Sequence, residues 1–121
     1  MTPLEVLKKA RTRIATSEHW TQGCFAKDAD GRAVTSGSPN AACFCAVGAL
    51  ENASGYPWYD GGYEGYRAAS VALQDTIYGD CPPSRVSTSS NIMRWNDAYL
   101  RKHEEVLAMF DKAIANLEAA E

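Results

Sequence analysis

Five residues of this chain have the types that a cysteine-dependent enzyme uses. Cys45 is the candidate nucleophile and His103 the candidate general base. Asp97 or Asn96 would orient the imidazole, and the Gln22 amide would donate a hydrogen bond to an oxyanion. The residue types are those of papain-like chemistry, but no motif fixes their spacing. A cysteine-dependent hydrolase or transferase is therefore one functional hypothesis.

The reactivity of the cysteines depends on the local secondary structure. A thiol in the first turn of a helix gains thiolate character from the partial positive charge of the helix amides. If Asn40 is the N-cap, Cys43 lies in the first turn and Cys45 in the second, where this effect fades. The structural alternative is that both thiols are small core residues. Their C-x-C spacing is not that of a zinc knuckle, so no metal and no cofactor is predicted.

A second group of residues has the composition of a binding surface. Residues 55–66 contain glycine, proline and five aromatic side chains, and we predict a loop there. Tyrosine and tryptophan offer large, rigid contact areas with a polar tip, so Trp58, Tyr59 and Tyr63 are the candidate contact residues. The structural alternative is that two or three of the rings fold inward over the helix that follows.

Two further motifs place a tryptophan beside polar side chains. They are Trp20-Thr21-Gln22-Gly23 and Trp95-Asn96-Asp97. One hypothesis is a polar binding pocket walled by Trp20 and Trp95, with Asn96 in it. The alternative is that the indoles close the ends of the core while the polar residues cap helices or hold turns.

The elements that position these residues are predicted from apolar patterning and helix-start signals. Residues 41–50 carry no charge, so we expect a buried central helix at about 41–54. A small β-hairpin is expected at about 23–35, around a loop rich in aspartate and glycine. Further helices are expected at about 3–16 and 64–78 and in the C-terminal segment, whereas residues 92–97 form an ordered segment of uncertain type. The predicted fold is α+β, mostly helical, with about four helices.

Length and composition limit the classes of function. The 121 residues are expected to form a single globular domain over 1–121, and the net charge of −3 argues against a general nucleic-acid binder. The ten-residue apolar run is too short to cross a bilayer, so no membrane association is predicted. No targeting segment is visible, and the four cysteines are expected to be reduced thiols in the cytoplasm.

The order of these motifs resembles a family of short proteins from bacteria and their phages, known only as a domain of unknown function. The resemblance rests on residues 20–23, on Cys45-Ala46-Val47-Gly48-Ala49-Leu50, on residues 95–97, and on His103-Glu104-Glu105-Val106-Leu107. It implies that Cys45, rather than Cys43, is the cysteine of the family pattern. Residues 98–102 depart from that pattern because they lack its Pro-Gly and threonine cap.

Two functional hypotheses follow. The first is a small intracellular binding or accessory protein, with a phage origin among the options, that acts through protein–protein contacts on a host or phage protein. Trp58, Tyr59 and Tyr63 would make those contacts. The second is the cysteine enzyme, with Cys45 as nucleophile and His103 as base.

Overall fold

The computed structural model describes residues 1–59 and 61–121 and confirms a mostly helical α+β fold. In these residues five α-helices and three short strands form. The helices are α1 (Pro3–Arg13), α2 (Ala46–Ser54), α3 (Gly62–Tyr78), α4 (Thr88–Asn96) and α5 (His103–Ala120), and the strands are β1 (Ala26–Lys27), β2 (Ala33–Val34) and β3 (Cys43–Phe44).

Helix α1 starts where the sequence predicts and ends earlier than predicted. Thr2 and Glu5 form a capping box, in which the Glu5 amide donates to Thr2 Oγ1 at 3.1 Å and the Thr2 amide donates to the Glu5 carboxylate at 3.0 Å. The helix ends at Arg13 rather than residue 16. Ile14, the residue after the helix, is fully buried. Its carbonyl oxygen accepts a hydrogen bond from His103 rather than from an amide of a further helical turn.

The prediction that the central helix begins at about residue 41 is wrong. Residues 43 and 44 are extended and pair with β1 in antiparallel register, and α2 begins only at Ala46. Its N-cap is Cys45 rather than Asn40. An uncharged apolar run has no periodicity that distinguishes a buried strand from a buried helix. The pattern therefore does not predict that residues 43 and 44 form a strand.

The predicted hairpin is present and belongs to a three-stranded antiparallel sheet in the order β2-β1-β3. The Asp28 carboxylate holds the turn between β1 and β2, since one of its oxygens accepts from the amides of Asp30 and Arg32, both at 2.9 Å. The third strand adds the first half of the apolar run to this hairpin and thereby places Cys45 directly beside β1.

Helix α2 lies at the centre of the core, in contact with α1, α3 and α4, while α5 packs on α1 and α3. Every residue from Phe44 to Leu50 is buried, whereas Ala42 is exposed. Residues 92–97, for which the sequence predicts an ordered segment of uncertain type, lie mostly in α4. The N-cap of this helix is Ser87, whose Oγ accepts from the Ser90 amide at 3.2 Å. Within the described residues, no helix combines the length and apolar character needed to cross a membrane.

Candidate functional site

Asn96 links three segments of the chain through a fully satisfied side-chain amide. It is completely buried at the end of α4. Its Oδ1 accepts from Trp20 Nε1 at 2.8 Å and from the amide of Ala46 at 3.1 Å. Its Nδ2 donates to the Thr21 carbonyl at 3.2 Å and to the Asp97 carboxylate at 2.9 Å. These four bonds tie α4 to the first turn of α2 and to the segment before the sheet.

Gln22 and Asp97 complete the same network. Gln22 Nε2 donates to the backbone carbonyls of Asn96 at 2.8 Å and Ala98 at 3.3 Å. Asp97 Oδ1 accepts from the Gly23 amide at 3.0 Å. The Gln22 amide, predicted to be an oxyanion donor, therefore binds the carbonyls at the end of α4. We refer to the side chains of Trp20, Gln22, Asn96 and Asp97 as the Asn96 network.

Cys45 is the N-cap of α2 and directly precedes Ala46, whose amide binds Asn96. Its side chain is completely buried, and Sγ accepts a hydrogen bond from the Gly48 amide at 3.3 Å. Its own amide donates to the Phe25 carbonyl at 3.1 Å. Burial raises the pKa of the Cys45 thiol to about 12, although the Gly48 amide opposes that rise. The thiol is thus protonated near neutral pH, and it caps the N-terminus of α2 by accepting from the Gly48 amide.

His103 contacts Ile14 and Trp20. Its Nε2 lies 2.6 Å from the Ile14 carbonyl oxygen, so this nitrogen carries the proton and donates. Its ring centroid lies 6.0 Å from that of Trp20. No hydrogen bond joins His103 to Cys45 in the part of the chain that the structure describes. The proposed catalytic residues therefore have structural contacts, and the enzyme remains a prediction from residue types.

Native-state alkylation tests this view of Cys45. We expect iodoacetamide at about pH 8 to modify exposed Cys81 and to leave Cys45 unmodified until the protein unfolds, because only a solvent-accessible thiolate reacts. Peptide mapping of the labelled protein measures both sites, and Cys81 is the internal control. Labelling of Cys45 in the folded protein at the rate of Cys81 would contradict the structural role.

The aromatic segment divides into buried and exposed rings. Tyr56 and Tyr66 fold inward, with ring centroids 4.7 Å apart and nearly parallel planes. Trp58, Tyr59 and Tyr63 remain 43%, 73% and 49% exposed. These three side chains are called the aromatic surface below. Two of the five rings therefore pack in or against the core, and three lie at the surface, where their role as contact residues stays a prediction.

Trp95 and Trp20 contact different residues. The Arg101 guanidinium lies 4.3 Å from the centre of the Trp95 ring, and Arg101 Nε donates to the Trp95 carbonyl at 2.9 Å. Trp20 is engaged with Asn96 and His103. Both indoles thus have structural contacts at the C-terminal end of α4, and a binding pocket between them stays a prediction.

A polar cavity of about 430 Å³ lies between α2, α3 and the first turn of α4. We call it the polar pocket. The aromatic surface borders it, since Tyr63 lines its wall. No sequence motif predicts this pocket. Its charged lining consists of Glu51, Arg67 and Arg85, and its hydroxyl lining includes Ser70, Ser87, Thr88 and Ser89.

Glu51 supplies the negative charge of the polar pocket. One of its carboxylate oxygens accepts from the Ser36 hydroxyl at 2.8 Å. The Ser36 carbonyl in turn accepts from the Asn52 side chain at 2.8 Å, which fixes this part of the wall. Burial raises the pKa of the Glu51 carboxyl above its ordinary value, and the Ser36 hydroxyl opposes the rise.

Tyr66 and Ser70 form the deepest part of the polar pocket. Burial raises the pKa of Tyr66 to about 12, the Glu51 charge adds to this, and the nearby hydroxyls of Ser70 and Ser89 oppose it. Ser70 is only 2% exposed. Its Oγ nevertheless has no hydrogen-bond partner of normal distance and angle among residues 1–59 and 61–121. A buried polar atom without a partner is uncommon in a native protein and requires an explanation.

The comparisons with known proteins give one family match. A family model described as "Family of unknown function (DUF6197)" matches residues 1–116. No curated protein matches the chain, and no solved structure does. The predicted resemblance to an uncharacterised family therefore holds at this coarse level, while an origin in bacteria or phages stays a prediction.

Proposed function

The chain belongs to DUF6197, a family of unknown function, and we propose that it is a binding protein that recognises a partner protein through the aromatic surface. The carrying observation is the exposure of Trp58, Tyr59 and Tyr63 within one short segment. Contiguous aromatic side chains on a monomer are typical of interfaces, in which tryptophan and tyrosine often contribute most of the binding energy.

The backbone beneath the aromatic surface is fixed, which favours binding. The amides of Trp58 and Tyr59 both donate to the Gly55 carbonyl, at 2.9 and 2.8 Å. The Trp58 ring lies over Gly37, where even a methyl carbon would approach its ring atoms to 2.7 Å. Side chains held in this way lose little conformational entropy when a partner binds.

The proposed partner is a host or phage protein, and the proposed location is the cytoplasm. All four cysteines are unpaired, which supports a reducing compartment. Binding is favoured over cysteine chemistry because Cys45 is buried and its pKa is raised to about 12.

A double variant of the aromatic surface tests the proposal. We expect W58A/Y59A to weaken binding to the partner at least about 30-fold, since a central aromatic contact contributes about 2 kcal/mol or more. Its free energy of unfolding should fall by only about 1–2 kcal/mol, because both rings are substantially exposed. The partner is first captured from a lysate of the source organism and identified by mass spectrometry. Its affinity for each variant is then measured by calorimetry with the purified proteins.

The matched control is Tyr99→Ala. Tyr99 is 93% exposed and lies in the connection between α4 and α5, outside the aromatic surface. This variant should bind the partner as the wild type does. Equal affinity of the wild type and W58A/Y59A for every captured protein would refute the proposed function.

A further inference from the structure

The polar pocket has a chemistry that contact with a protein partner does not require. We propose that it binds a small phosphate monoester whose organic part carries hydroxyl groups, with the phosphate at the first turn of α4 and the hydroxyl groups towards Glu51. Four features of the pocket support this assignment: a helix N-terminus, two arginines, a buried hydroxyl without a hydrogen-bond partner in the described residues, and a carboxylate from α2.

The first turn of α4 offers amide donors to an anion. Ser87 caps this nine-residue helix, and its Oγ is used by the Ser90 amide. The amides of Thr88 and Ser89 have no hydrogen-bond acceptor within the described chain. Free amides and the helix dipole together favour negative charge at this position, and phosphate is the group most often bound in this way.

Two arginines add positive charge to the same pocket. Arg67 comes from α3 and Arg85 from the segment before α4, and both side chains are exposed. Neither forms a salt bridge with any residue in 1–59 or 61–121. Guanidinium groups bind phosphate oxygens through paired hydrogen bonds. Their two charges match those of a phosphate monoester dianion and exceed the single charge of Glu51.

Ser70 provides the observation that is independent of the helix. Its hydroxyl lines the polar pocket, is almost wholly buried and has no hydrogen-bond partner of normal distance and angle in residues 1–59 and 61–121. Burying a hydroxyl without a hydrogen bond is unfavourable, so a ligand that supplies an acceptor would relieve the cost. The donors of Ser70, Thr88, Ser89 and the two arginines outnumber the two oxygens of a carboxylate. A phosphate, with three terminal oxygens, uses more of them.

Glu51 determines the organic part of the ligand. Its hydrogen bond to Ser36 occupies Oε1, and Oε2 forms no hydrogen bond with the residues that are described. A carboxylate oxygen in a pocket accepts hydrogen bonds from hydroxyl groups. A sugar phosphate satisfies both ends, whereas a purely aromatic phosphate leaves Glu51 without a donor.

Isothermal titration calorimetry with ribose 5-phosphate tests this inference. We expect saturable binding of one molecule per chain, at least about tenfold tighter than that of phenyl phosphate, which has no hydroxyl to offer Glu51. Ribose without phosphate should not bind. Absence of binding by both phosphate esters at about 5 mM would overturn the proposal. Equal affinity for the two esters would overturn the role of Glu51.

Variants locate the binding. Arg67→Gln and Arg85→Gln should each weaken ribose 5-phosphate binding at least about tenfold, whereas Arg32→Gln, in the exposed turn between β1 and β2, should not change it. Ser70→Ala should weaken binding about fivefold or more without lowering the melting temperature of the free protein. An unchanged affinity in all three pocket variants would place the ligand elsewhere and contradict the inference.

The polar pocket and the aromatic surface share Tyr63, so the variants that test each of them leave this residue unchanged. W58A/Y59A should bind ribose 5-phosphate as the wild type does, because neither ring lines the polar pocket. Failure of the phosphate experiments therefore leaves the aromatic surface untouched, and failure of partner binding leaves the pocket untouched.

Discussion

Replacing Gly48 with alanine is expected to lower the free energy of unfolding by about 3 kcal/mol or more. Gly48 lies in the first turn of α2, against the backbone of the residue before β1. A Cβ there would overlap the Phe25 carbonyl oxygen and lie 2.8 Å from its carbonyl carbon. That oxygen already accepts from the Cys45 amide, so the clash also breaks the bond that seats α2 on the sheet. Urea denaturation of the two proteins measures the difference.

Gly65→Ala is the matched control for Gly48→Ala. It makes the same change inside α3, where a Cβ would lie 2.9 Å from the Met1 carbonyl oxygen. A second contact lies at 3.2 Å, from the new Cβ to Cγ2 of the fully buried Val6. The variant should lose only about 1–2 kcal/mol, since both contacts are longer than the overlap at Gly48 and alanine favours the helix. A Gly48 variant as stable as the Gly65 variant would refute the close contact between α2 and Phe25.

Replacing Asn96 with alanine is expected to cost about 3–5 kcal/mol of stability. The change leaves Trp20 Nε1, the Ala46 amide and the Thr21 carbonyl without their partners in the interior. Each buried group left unsatisfied costs about 1–3 kcal/mol, partly reduced where water enters. Chemical denaturation measures the loss, and tryptophan fluorescence reports on the surroundings of Trp20.

Asn116→Ala is the control for Asn96→Ala. Asn116 is exposed on α5, and its replacement should change stability by less than about 0.5 kcal/mol. Asn96→Asp is the more specific test, because it keeps the acceptor for Trp20 and Ala46 but places a second carboxylate beside Asp97. If Asn96→Asp were as stable as the wild type, the donor half of the Asn96 network would have no energetic importance.

Elements with a clear local signal were predictable from the sequence. The capping box of Thr2 and Glu5 located the start of α1, and the apolar stripe of α5 identified that helix. The boundary near residue 45 was not predictable, because an uncharged run fits a strand and a helix equally well. Long-range pairing with β1 decided it, and no local pattern records that pairing.

The Asn96 network was predictable in composition but not in role. The enzyme hypothesis grouped Gln22 with Asn96 and Asp97, the pocket hypothesis grouped Trp20 with Asn96, and the structure joins these residues by hydrogen bonds. The burial and hydrogen bonds of these side chains, which the sequence does not show, decide between a catalytic role and a structural one. Asn96 satisfies all its polar groups with the chain itself, which leaves none for a substrate.

The polar pocket could not be predicted, because its residues are individually ordinary and come from separate segments. Glu51 ends the apolar run, Ser70 faces inward from α3, and Arg85 lies in a polar connection. The only local signal was the hydroxyl-rich stretch at 87–90, which begins two residues after Arg85 and is typical of a helix start near an anion. The missing partner of the Ser70 hydroxyl is visible only in three dimensions.

We assign ligand binding to the polar pocket and a structural role to the Asn96 network. Amide proton–nitrogen correlation spectra recorded during a titration with ribose 5-phosphate test this assignment directly. We predict that the largest shifts occur at Thr88, Ser89 and Ser70 and that the amide of Ala46, bound to Asn96, does not move. Shifts centred on Ala46 with unmoved amides in the first turn of α4 would contradict it.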